Sequence, residues 1–132
     1  MLGSMDANQA IADLTEISPQ VRDVVVIGGD GSLVGMNTEP GRAQAVADAA
    51  RRLLAAADET RSAHGAGSTA QLEAAATTGS VFVIRDGGRV IAATTTPEPT
   101  VGLVFYDLKT CLRSIDEPKP KRRAKKQDDA AA

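Results

Sequence analysis

A chain of 132 residues with 42% hydrophobic and 24% charged side chains is the size of one domain and can bury a core without metal or disulfides. The single cysteine, Cys111, excludes an internal disulfide, and three aromatic residues (Phe82, Phe105, Tyr106) leave little for stacking on single-stranded nucleic acid. Residues 1–118 carry 15 acidic against 9 basic side chains and residues 119–132 carry 6 basic against 2 acidic, so a mildly acidic body bears a basic tail.

Residues 1–5 read as an N-terminal extension or a cloning scar, without the basic and apolar regions of a signal peptide. No apolar run approaches the roughly 20 residues that span a bilayer. The chain reads as soluble and cytoplasmic.

From Asp6 to Ser18, Ala7, Ala10, Ile11, Leu14 and Ile17 recur at helical spacing, and Pro19 ends the run. Val21 to Gly28 is dense in β-branched residues, which suits a strand covered on both faces. Gly28-Gly29-Asp30-Gly31 is turn chemistry, and Ser32 to Thr38 reads as the returning strand. Pro40-Gly41 opens a long helix over Arg42 to Ser62. Its apolar stripe is Ala43, Val46, Ala47, Ala50, Leu53, Leu54 and Ala57, small enough for another helix to approach closely. Asp48, Arg51, Arg52 and Asp58 lie opposite, with Asp48 and Arg52 at i,i+4 spacing for an ion pair.

His64 to Ser68 reads as a loop. Thr69 to Ala76 alternates, with Ala70, Leu72, Ala74 and Ala76 on one side, although its composition also allows a helix. Ser80 to Arg85 and Arg89 to Thr96 flank Asp86-Gly87-Gly88, a hairpin signature. A last helix places Val101, Val104, Phe105, Leu108, Cys111, Leu112 and Ile115 on one face. The body then spans 6–116, and residues 117–132, with nothing to bury, form a disordered basic tail. This order, α-β-β-α-β-β-β-α, predicts an α+β layered domain.

The same order resembles the roadblock family of dynein light chains and their bacterial relatives. The residues that carry the likeness are Leu14-Thr15-Glu16-Ile17 leading into Val24-Val25-Val26-Ile27, and the hairpin Asp30-Gly31-Ser32-Leu33-Val34-Gly35. The Ala/Leu-rich second helix, the hairpin at Asp86-Gly87-Gly88 and the closing Gly102-Leu103-Val104 complete it. The resemblance implies a profilin-like domain: a five-stranded antiparallel sheet with the second helix on one face and the terminal helices on the other. It also implies homodimers joined through the third strands and second helices, here through Val46, Ala50, Leu53 and Leu72. Members are scaffolds or regulators of small Ras-like GTPases, or light chains of motors. The resemblance therefore implies a GTPase partner, met through Asp48, Arg51 and Arg52.

Features that suggest chemistry have plainer explanations. Gly28 to Ser32 resembles the glycine loop of lipid and NAD kinases, and a small-molecule or nucleotide sensor built on it is the alternative reading. Phosphate loops rely on a helix that follows directly, and here a strand follows. Cys111 falls on an apolar helix face, where a buried thiol is expected. His64 has no neighbouring ligand at metal-binding spacing. Asp30 and Asp86 are separate turn residues. No catalytic residue, metal or cofactor is expected, and the basic tail could at most contact anionic surfaces.

Overall fold

The computed structural model describes residues 6–63, 65, 67 and 69–115. The extension at 1–5, His64 and the basic tail at 117–132 lie outside the described residues.

Asp6 caps the first helix, α1 (Ala7–Ile17), by accepting the Gln9 N–H at 2.8 Å. The chain then enters β1 (Val21–Ile27) and turns back as β2 (Leu33–Met36), shorter than the Ser32 to Thr38 expected. Helix α2 (Pro40–Ala63) begins on Pro40, whose missing N–H has no intrahelical acceptor at that position. Three strands follow: β3 (Gln71–Ala76), β4 (Gly79–Asp86) and β5 (Arg89–Thr95). The ambiguous segment after the loop is thus a strand. Helix α3 (Val101–Ser114) closes the fold.

The five strands form one antiparallel sheet in the order β2-β1-β5-β4-β3. Strand β1 is central enough to be covered on both sides, and its valines alternate between two cores. Val24 and Val26 join Ile11, Leu14, Phe82, Ile91, Leu108 and Leu112 beneath α1 and α3. Val25 and Ile27 join Ala43, Ala47, Ala50, Leu54 and Val83 beneath α2. Phe82 and Phe105 meet edge to face at 4.9 Å. Helices therefore cover both faces, as an α+β layered domain requires.

Two close contacts position the helices. A Cβ on Gly35 of β2 would lie 2.5 Å from Ala7 Cβ, so only glycine lets α1 settle against that strand. Arg42 Nη2 reaches Asp23 Oδ2 at 2.8 Å and fastens the start of α2 to β1. That hydrogen bond, joined by one from Thr94, holds the Asp23 carboxyl below its ordinary range against the opposing effect of burial.

In α3 the sequence stripe is corrected at one end. Val101 is exposed, and Asp107 instead takes a buried position on the inward face. Among the described residues no helix is long and apolar enough to cross a membrane.

Candidate functional site

The resemblance implies that Val46, Ala50 and Leu53 of α2 meet another chain. In the structure Ala43, Val46, Ala47, Ala50 and Leu54 all face the molecule's own sheet. Val46 is 8% exposed and Ala50 0%, which leaves Ala50 no area for a partner. The small side chains do permit close approach, but what approaches is the sheet. Leu53 and Leu72 are different: both are half-buried at the margin of that core.

The charged face divides. Arg51 Nη1 pairs with Asp48 Oδ1 at 3.0 Å, one turn back, and Arg51 Nη2 donates to the Gly31 carbonyl at 2.5 Å. Gln44 Nε2 adds a third bond to Asp48 at 3.0 Å. Asp48 thus takes Arg51 rather than Arg52 as its partner. Adjacent helical residues point about 100° apart, and Arg51 is the one turned toward the β1–β2 turn. Arg52 is exposed and makes no ion pair among the described residues. It lies on the outer face of α2 with exposed Ala45 and Ala56, seven residues before it and four after.

Asp58 is not a free surface charge. It accepts Arg85 Nη2 at 2.8 and 3.0 Å and the Thr69 N–H at 2.7 Å, while Arg85 also donates to the Thr69 carbonyl. The Arg85 and Thr69 bonds pull the Asp58 carboxyl down to about 2. The clamp joins the end of α2 to the entry of β3. Sequence spacing gave no sign of it, because Asp58 and Arg85 are 27 residues apart.

The sheet's two edges are treated differently. On β2, the outward Met36 N–H is satisfied by Asn8 Oδ1 of α1 at 3.0 Å. On the far side, β3 pairs with β4 over its full length, from Gln71↔Ile84 to Ala76↔Gly79, and among the described residues no strand lies beyond it. Leu72 sits opposite Val83, on the α2 side of this open edge.

The glycine segment is a turn. Gly28 N donates to Ser32 O at 2.8 Å, and Asp30 Oδ1 accepts both the Ser32 N–H at 3.0 Å and its hydroxyl at 2.7 Å. These bonds hold the Asp30 carboxyl below its ordinary range. The turn borders an open cleft of about 660 Å³, shared with Asp6, Val34, Gly87, Arg89 and Ile115. Strand β2 follows the turn, so no helix N-terminus faces the loop from its own continuation. Burial, the larger cause, and the nearby Asp13 charge push the Cys111 thiol up to about 12, which removes the thiolate a nucleophile needs.

No curated protein matches the sequence. Among solved structures, a Roadblock/LC7 domain from Streptomyces avermitilis superposes with a TM-score of 0.75 at 18% identity, covering 83% of this chain and 94% of that one. Myxococcus xanthus MglB gives 0.69 at 16% identity, covering 82% and 89%. LokiProfilin2, solved in complex with rabbit actin, gives 0.55 at 17% identity, covering 81% and 93%, so the same architecture extends to a profilin. The family description "Roadblock/LC7 domain" matches residues 8–98, from α1 through all five strands. The chain belongs to the Roadblock/LC7 domain family.

Proposed function

We propose that this protein is a homodimeric scaffold or regulator that binds a small Ras-like GTPase and performs no chemistry itself. The observation that carries the reading is the contrast between the two sheet edges: β2 has its outward Met36 N–H taken by Asn8 of α1, whereas β3 runs beside half-buried Leu72 and Leu53. An open edge flanked by apolar side chains invites a second strand, and a two-fold partner would supply β3 itself. Arg52 and the alanines around it would then run along the outer side of paired α2 helices. Family membership supports a GTPase as the protein met there, since scaffolding and regulation of such GTPases is what the roadblock resemblance implies. An exposed arginine among small side chains suits an electrostatically steered encounter.

The test is recovery of partners from the native cell with the full chain and with Arg52→Glu, followed by a GTP-hydrolysis assay on what binds. A GTPase recovered by the unaltered protein and depleted by the variant, with dimer mass unchanged, is expected. Recovery of no GTPase would reject the partner. Hydrolysis by this chain alone would overturn the non-enzymatic reading.

A further inference from the structure

The face opposite α2 holds most of the large exposed hydrophobic side chains. Tyr106 is 68% exposed, Leu103 49% and Ile17 67%, with Val101 also at the surface. All four gather at one end of the α1/α3 layer. Helix α1 ends where α3 begins: the Thr100 N–H donates to Gln20 Oε1 at 2.6 Å, and Val21 pairs with Thr95 just beneath. The two helices run in opposite directions from that end.

Their charges are sorted by sign. Helix α1 contains no basic residue, and its exposed acids are Asp13 and Glu16. Helix α3 places Lys109 and Arg113 on the outer line that begins with Gly102 and Tyr106, and its one acid, Asp107, is buried. Asp13 is bonded only to Gln9 Nε2, and Glu16 and Lys109 make no ion pair among the described residues. Arg113 bonds Asp86 with one nitrogen, Nε, at 3.0 Å. On each helix the charges follow the apolar end in the same direction along the sheet.

Such a surface is complementary to itself. A two-fold axis lying in the face, parallel to the helices and midway between them, would lay α1 of one copy over α3 of the other. Apolar ends would meet apolar ends, and the acidic α1 of each copy would lie over the α3 of the other, which carries Lys109 and Arg113. A two-fold contact repeats every favourable pair, while the apolar end centred on Tyr106 supplies an anchor of the kind that dominates interfaces. We infer that the α1/α3 face is a second self-association surface, whose occupant is another copy of this chain. It is separate from the β3 edge, which lies across the sheet and on its margin.

The test is sedimentation of the full chain over a range of concentrations, with circular dichroism as the check on folding. Tyr106→Glu should halve the limiting mass, and Leu72→Asp should lower it independently. Lys109→Glu alone cancels the outward positive charge of α3, and Glu16→Lys alone cancels the outward negative charge of α1, so each single variant should associate weakly. Mixed in equal amounts, the two variants should regain mass over either alone, because the acidic α1 of the first then meets the basic α3 of the second. An unchanged mass for Tyr106→Glu would overturn the inference, as would single charge variants that fail to recover on mixing. A loss in Leu72→Asp alone would reject this surface and leave the β3 reading standing.

Discussion

Arg85 holds both oxygens of Asp58, 2.8 and 3.0 Å from one nitrogen, while the same carboxylate receives the Thr69 N–H from the chain entering β3. One ion pair thus ties the last third of a 24-residue helix to the chain entering the edge strand.

That clamp has a pH signature. The folded Asp58 carboxyl is lowered from 3.8 to about 2, so its contribution is full above 3.8 and is lost as pH falls through about 2. Acid titration of stability should show a limb in that window. Asp58→Asn should flatten the limb while leaving the shape of the neutral-pH spectrum unchanged. An identical acid limb in the variant would remove Asp58 as its source.

Gly35 and Ala7 make the tightest helix–strand contact. Gly35→Ala should destabilise the fold by about 1–3 kcal/mol in urea unfolding, since the added methyl overlaps Ala7 and meets Ile11. Adding Ala7→Gly should recover part of that loss. A neutral Gly35→Ala would mean that α1 can move away from β2 without cost.

Val46 and Leu72 separate folding from association. Val46→Glu puts a carboxylate into the α2 core and should lower stability by several kcal/mol, visible as an early melt at any concentration. Leu72→Asp alters a half-buried edge and should leave a folded protein whose mass in light scattering has dropped. Equal melting losses for the two variants would contradict this division.

Cys111 reports on the same packing. With its thiol pushed up to about 12 by burial, it should react with a thiol reagent at the rate at which α3 opens rather than at the rate of a free cysteine. The labelling rate should rise steeply with denaturant. Fast labelling under native conditions would show that α3 opens far more readily than its packing implies.

Much of this architecture is legible in the residues themselves. The 3.6-residue recurrence in Ala7–Ile17, the β-branched run Val24–Ile27 and the Asp86-Gly87-Gly88 turn each encode a local element, because periodicity and turn chemistry act over a few residues. Their order was enough to indicate the family. How much of the α2 stripe the sheet consumes was not legible. Alanines that suit close packing carry no mark of whether the neighbour is another helix or the sheet, and only the layered fold turned Val46 and Ala50 inward. The expected pairing of Asp48 with Arg52 gives way to Arg51, since spacing permits either arginine and the Gly31 carbonyl draws Arg51 to that side. Asn8 over Met36 and Arg85 on Asp58 join residues 28 and 27 apart. Local residue patterns were enough for the elements and their order. Which surfaces were consumed in folding and which remained at the surface followed from the packing of the layers, because that depends on distances between elements that no local pattern encodes.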